Sequence, residues 1–233
     1  MHLFYQPNFK QLSALTDDEA QHAVKVLRLR EGAKLRVTDG VGSWFDCLIE
    51  NAHAKLCTVQ ILKKTTTPPR PYQIELAIAP TKNLDRIEWL VEKATEIGVD
   101  TFSFFYSKHS ERRTLKIERL HKIAVSAMKQ SLQAYLPIVA EVGDFTNFVS
   151  QNTNKAKFIA HLPEGNFPKN LIQVAPPKQS YRVLIGPEGD FTAQEVEMAV
   201  ESGFKMVTLG QTRLRTETAA LNACHILNLL NLS

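Results

Sequence analysis

The sequence predicts an α/β protein, a sheet of parallel strands alternating with helices, preceded by a smaller β-rich part. Three observations carry this. Short apolar runs such as "IELAIAP" and "YRVLIGP" alternate with longer amphipathic stretches through most of the chain. Such runs suit strands buried on both faces, as in a parallel sheet covered by helices. The first part has a different rhythm, with "KLRVTDG", "SWFDCLIE" and "CTVQILKK" alternating apolar and polar residues, the pattern of strands with one face in water. Between the two lies "KKTTTPPRPY", Lys63 to Tyr72, whose threonines and prolines favour an extended connection.

Taken in order, "DDEAQHAVKVLRL" reads as a helix, with acids at its start and Val24, Val26 and Leu27 near its end. The first strand of the β part then runs into an Asp39-Gly40 turn. After the connection, "IELAIAP" is a strand. In "DRIEWLVEKATEIG", Ile87, Leu90, Val91, Ala94 and Ile97 recur at helical spacing, with Gly98 placed as a stop. "TFSFFYS" reads as a strand, and "LKIERLHKIAVSAMKQSLQAYLP" as a helix ending just before Pro137. "KFIAHLP" and "YRVLIGP" are strands. A helix from about Thr192 to Ser202, a strand "KMVTLG" and a helix "ETAALNACHILNLL" complete the chain.

At 233 residues, 44% hydrophobic and 22% charged, the chain can bury a substantial core. Its net charge of +4 suits a polyanionic partner without demanding one. Three scattered cysteines and seven scattered histidines give no zinc spacing, and no metal is expected. The odd, unclustered cysteines point to a reducing compartment. No signal peptide and no membrane-spanning run is visible, so a cytoplasmic location is expected.

Two loops stand out. "VLIGPEGDFTAQE" passes from a strand through two glycines, a proline and two acids into a helix, with the capping-box pair Thr192 and Glu195. "MVTLGQTRLRTETAA" likewise runs from a strand end through a polar loop into a helix. In a parallel sheet, ligands bind beyond the carboxyl ends of strands, and glycine lets a ligand approach bare backbone. Either loop alone reads as an ordinary strand-to-helix turn. Neither carries the glycine pattern of a dinucleotide or P-loop site, so the residues by themselves stop at a cofactor-sized pocket.

"LIGPEGDFTAQEVEMA" followed by "VTLGQTRLRTETAALNA" resembles the SPOUT-class RNA methyltransferases, within them the ribosomal RNA small subunit methyltransferase E family. "KNLDRIEWLVEKATEIGVD", "SERR" at Ser110 to Arg113, "MKQSLQAYLP" and "HAVKVLRLREGAKLRVTDG" resemble it too, so the likeness covers nearly the whole chain. It implies a PUA-like RNA-binding β-barrel over 1–68 and a trefoil-knotted S-adenosylmethionine-binding domain with a parallel sheet over 73–233. It implies a homodimer that methylates N3 of a uridine in the decoding region of 16S ribosomal RNA, within the small ribosomal subunit. The alternatives are a noncatalytic RNA-binding or ribosome-assembly factor on the same fold, and a methyltransferase with another RNA target.

The resemblance assigns residues as well. Leu184, Ile185, Gly186, Pro187, Glu188 and Gly189 would face the cofactor, with Leu209, Gly210, Leu214, Arg215 and Thr216 completing its pocket and His161 and Leu162 on the rim. Arg112, Arg215 and Glu188 are the catalytic candidates. Glu188 at a helix start also reads as a dipole partner, and Arg215 with Glu217 as a structural ion pair. His22, Lys25, Arg28 and Arg30 in the β part, and Lys82, Arg86, Arg112 and Arg113 beyond it, are the expected RNA contacts. The chain departs from the family at Asp190, where many relatives have a third glycine and a side chain would crowd the loop. It departs again at Gly210-Gln211-Thr212, and at Lys129, where an acid is common.

Overall fold

The computed structural model describes residues 1–163, 165 and 168–232. It divides into two compact units, the first formed by Met1–Pro69 with Met128–Leu136, the second by Arg70–Ala127 with the residues from Pro137 onward.

In the first unit the elements are β1 (His2–Tyr5), α1 (Phe9–Leu12), β2 (Ala14–Thr16), α2 (Asp17–Gln21, continued by a π turn over His22–Val26), β3 (Lys34–Thr38), β4 (Ser43–Asn51) and β5 (Leu56–Thr66). They make one sheet in the order β1-β3-β4-β5-β2, parallel between β1 and β3 and antiparallel elsewhere. Strand alternation sends Phe45, Cys47 and Ile49 of β4 inward to meet Phe4, Phe9, Leu15, Leu35, Val37 and Val59. The Asp39-Gly40 turn closes as expected. The Asp39 carboxylate accepts the amide N–H groups of Val41 and Ser43 at 3.0 and 2.9 Å, and Gly40 takes φ +75°.

Two boundaries differ from the sequence expectation. The connection does not begin at Lys63, because β5 continues to Thr66 and pairs Thr65 and Thr66 with Trp44 and Ser43; β-branched threonine favours the strand until the prolines stop it. The long helix also stops early, at Gln130 rather than before Pro137. Leu132 sits at φ +55°, and the next residues pair with the Gly40–Gly42 turn: Gly42 donates to Ala134 O at 3.0 Å and Leu136 to Gly40 O at 2.9 Å. Lys129 pairs with Glu19 at 2.6 Å and lies over the Phe4 ring.

The second unit contains β6 (Ile74–Ile78), α3 (Leu84–Ile97), β7 (Thr101–Tyr106), α4 (Ile117–Gln130), β8 (Ile138–Asp144), α5 (Phe145–Val149), β9 (Ala156–Ala160), α6 (Leu171–Val174), β10 (Tyr181–Ile185), α7 (Ala193–Glu201), β11 (Lys205–Val207) and α8 (Thr216–Leu230). The last residues of α4 belong to the first unit. Six strands form one sheet, β11-β9-β10-β6-β7-β8, and every pairing is parallel. β6 and β10, at its centre, are buried at every residue, which is why their sequences are unbroken apolar runs. Ile87, Leu90, Val91 and Ala94 form the buried face of α3, which packs on α8; Asn83 caps its start and Gly98, at φ +107°, its end.

One polar cluster lies inside this sheet. Glu75 of β6 accepts from Ser103 Oγ at 2.6 Å and from Lys155 Nζ and Arg182 Nε at 2.8 Å each. The Arg182 guanidinium also lies 4.4 Å from the centre of the Phe148 ring. Burial by itself would raise the Glu75 carboxyl, but these donors outweigh it and hold it below its ordinary value.

Candidate functional site

The sheet order makes β11, β9 and β10 neighbours, so the loops leaving their carboxyl ends meet on one edge of the second unit. They enclose a cavity of about 320 Å³. Its walls come from the end of β9, from Ile185–Glu188 and Asp190 after β10, and from Val207–Gly210 and Thr212–Thr216 after β11. The loops are tied to each other. Thr216 Oγ1 donates to Gly186 O at 2.9 Å, Arg213 Nη2 to Glu188 O at 3.2 Å, and Asn222 Nδ2 to Leu209 O at 2.7 Å. α7 starts beside this edge with the expected reciprocal cap, Thr192 accepting from the Glu195 N–H and Glu195 from the Thr192 N–H. Gly210 has φ +152° and open space where a Cβ would stand, so this wall is bare backbone.

Of the residues the resemblance assigns to a cofactor, His161, Leu162, Ile185, Gly186, Pro187, Glu188, Leu209, Gly210, Leu214, Arg215 and Thr216 line this cavity. Leu184 does not; it is fully buried in the core with Phe105, Phe191 and Val196. Gly189 is also absent from the lining, and a Cβ there would stand 3.1 Å from His109. Val207, Thr208, Thr212, Arg213 and Ala219 of the second loop also line it, as does Ala160, though none was named singly as a cofactor contact. Asp190 does not crowd the loop. It adopts φ +58°, its Oδ1 accepts the Phe191 N–H at 2.7 Å, and its Oδ2 lies 2.9 Å from His161 Nδ1.

The charged candidates separate into groups. Glu188 Oε1 accepts the Lys82 amide N–H at 3.1 Å, and Arg112 Nε donates to the Lys82 carbonyl at 3.2 Å, so these three residues sit together. The Lys82 side chain pairs with Glu111 at 2.8 Å, in solvent. Arg86 lies 3.7 Å from Glu217, which is buried; Glu217 therefore pairs with Arg86 and not with Arg215. Arg215 ends its loop as the residue before α8 and lines the cavity, and its side chain makes no cap bond. Arg113 is exposed. His22, Lys25, Arg28 and Arg30 lie in the first unit, all exposed, with Arg28 at φ +54° just past the π turn.

Other chemistries find little support among the described residues. No group of three or more His, Cys, Asp or Glu is placed to hold a metal ion. The three cysteines are buried, and burial pushes the Cys47 and Cys224 thiols up to about 12, far from a reactive thiolate. No helix is long and apolar enough to cross a membrane.

Known proteins narrow the site further. The family model for an RNA methyltransferase domain matches residues 68–228, and that for an RNA methyltransferase PUA domain matches 15–62. The chain belongs to the RNA methyltransferase family. Within that family it is similar to the ribosomal RNA small subunit methyltransferase E of Mesomycoplasma hyopneumoniae, 30% identical over 179 residues, 75% of this chain and 76% of that protein. Its fold matches the crystal structure of a probable rRNA-methyltransferase from Porphyromonas gingivalis with a TM-score of 0.92 and 44% identity, over 99% of this chain and 98% of the other. It also matches a ribosomal RNA small subunit methyltransferase E from Neisseria gonorrhoeae bound to S-adenosyl methionine, with a TM-score of 0.87 and 28% identity over 99% and 98%. The family thus pairs an α/β unit with a PUA-like one, the architecture found here.

Proposed function

We propose that this protein transfers a methyl group from S-adenosylmethionine to N3 of a uridine in the decoding region of 16S ribosomal RNA, acting on the small ribosomal subunit in the cytoplasm. The observation that carries the reading is the cavity at the ends of β9, β10 and β11, with bare backbone at Gly210 and apolar walls from Ile185, Val207, Leu209 and Leu214. Such walls suit a purine ring, and exposed main-chain groups can read its edges. S-adenosylmethionine supplies an activated methyl group when bound there. Residues 186–188, 209–210 and 214–216, with His161 and Leu162, are proposed to hold it, and the trefoil threading belongs to the same proposal.

The acceptor atom sets what the protein must do. N3 lies on the pairing edge of uracil, so the base must be unpaired or flipped out. Its proton must leave, and negative charge then spreads toward O2 and O4, where a fixed cation stabilises it. Arg215 lines the cavity and offers a planar fork of N–H donors. Arg112, held to the Lys82 carbonyl, is proposed to fix the RNA beside it, and Glu188 to keep this edge in register through the Lys82 N–H. A homodimer is part of the reading, with Trp89 (44% exposed) on α3 and Leu229 (47%) on α8 as apolar surface for it to cover; sedimentation tests this.

The first unit is proposed to grip RNA through His22, Lys25, Arg28 and Arg30, with Lys82, Arg86, Arg112 and Arg113 contributing from the second. Each phosphate neutralised releases counterions. Changing Lys25, Arg28 and Arg30 together to glutamine is expected to weaken RNA binding and to lower the slope of log affinity against log salt by about 2–3. A slope equal to that of the unmodified protein would remove these residues from the interface. The direct test of the function uses small subunits lacking the modification, incubated with the protein and labelled S-adenosylmethionine. Label should enter 16S RNA, and cofactor binding without any transfer would contradict an enzyme.

A further inference from the structure

His161 stands immediately after β9, on the wall of the cavity, with one-fifth of its side chain exposed. Its Nδ1 lies 2.9 Å from Asp190 Oδ2. An ionised carboxylate only accepts hydrogen bonds, so Nδ1 carries the hydrogen, and the lone pair of the neutral ring is on Nε2. Among the described residues Nε2 has no hydrogen-bond partner.

The carboxylate that sets this tautomer is itself fixed from two sides. Its other oxygen accepts the Phe191 N–H, and the Asp190 N–H donates to Pro187 O at 3.0 Å. His109, in the loop after β7, lies with its Nδ1 3.1 Å from both the Gly189 and the Asp190 carbonyls. Two carbonyls can only accept, so that nitrogen too must carry its hydrogen. Asp190 keeps its left-handed conformation because these bonds hold it there, a placement that concentrates at functional sites. A carboxylate behind an imidazole, holding one tautomer and ready to stabilise the imidazolium, is the arrangement that makes histidine a base in hydrolytic triads.

The other charged groups of the cavity are poorly suited to take a proton. Arg213 and Arg215 carry guanidinium groups, which donate hydrogen bonds and accept none. Glu188 is occupied by the Lys82 N–H at one oxygen. We propose that His161, oriented by Asp190, is the general base that removes the N3 proton of the target uracil. This rests on the N3 reading above and names the proton acceptor within it. The N3–H bond breaks, and its proton passes to Nε2 to give an imidazolium paired with Asp190. The electron pair left on N3 forms the bond to the methyl carbon as the carbon–sulfur bond breaks, and that bond's electrons stay on sulfur. The imidazolium then returns its proton to water.

The test centres on Asp190→Asn, which keeps the shape of the side chain. Its amide can donate to Nδ1 and so moves the ring hydrogen to Nε2, where no base remains. Nitrogen NMR of the imidazole, recorded without cofactor or RNA, should show Nδ1–H in the native protein and Nε2–H in the variant. Single-turnover methyl transfer should fall at least about 10²-fold, the usual range for general-base catalysis, and by at least about 30-fold more than cofactor affinity measured calorimetrically. His161→Asn should behave likewise and regain rate as the pH rises, because hydroxide then replaces the missing base. An Nε2–H tautomer in the native protein, or variant rates and pH profiles like the native ones, would overturn the proposal. So would a rate loss matched by lost cofactor affinity. A native product methylated at an atom other than N3 would refute the target reading instead, a separate and recognisable outcome.

Discussion

Replacing Arg215 with alanine is expected to lower single-turnover methyl transfer by about 10²–10³-fold, the loss that follows removal of one fixed donor to developing negative charge. The fold should survive the change. Arg215 contributes to α8 through its main chain, whose carbonyl accepts the Ala219 N–H at 2.8 Å, and its side chain makes no cap bond. The melting temperature should therefore move little while the rate collapses. Lysine at the same place would restore charge but not the planar fork of donors, so its rate should fall between the two. Transfer within threefold of the native rate in the alanine protein would remove Arg215 from the chemistry.

The second large effect concerns stability. Glu75→Ala should cost about 3–5 kcal/mol, because it leaves Arg182 and Lys155 without their shared buried counter-charge. Both are mostly buried, with side chains 9% and 19% exposed, so water cannot easily replace the carboxylate. The same cluster predicts a pH dependence. Glu75 is held below its ordinary value of 4.5, so the unfolded chain takes up its proton before the folded one does. The stabilisation is complete above that value and is lost as the pH falls through the lower, folded one. Denaturant unfolding of the native protein should show stability declining below about pH 4.5, and Glu75→Gln should flatten that decline. A Glu75→Ala protein as stable as the native one would mean that the cluster contributes nothing.

What the sequence made legible follows the range of the interactions involved. β6 and β10 announce themselves because strands at the centre of a parallel sheet are apolar at every position. α7 announces its start through Thr192 and α3 its end through Gly98, since capping uses neighbours in sequence. β8 carried no such mark: it is an edge strand, half-exposed, with Gly143 near its end. The end of α4 at Gln130 was equally hidden, because residues 131–136 are held by a turn nearly a hundred positions earlier.

The site divides in the same way. Glycines and loop position pointed to the strand ends that enclose the cavity, and the family resemblance supplied most of its lining. Pairings across the fold were out of reach. Nothing local ties Glu217 to Arg86 in place of its neighbour Arg215, and nothing local shows that Asp190 reaches His161 across 29 positions. The second of those contacts carries the proposed proton transfer.

Small subunits lacking the modification would be treated with the protein and S-adenosylmethionine, and their 16S RNA copied by reverse transcriptase. A methyl group on N3 blocks base pairing and halts the copy. One new stop is expected, dependent on the cofactor, at a uridine of the decoding region. Methyl transfer without such a stop would contradict the proposed target.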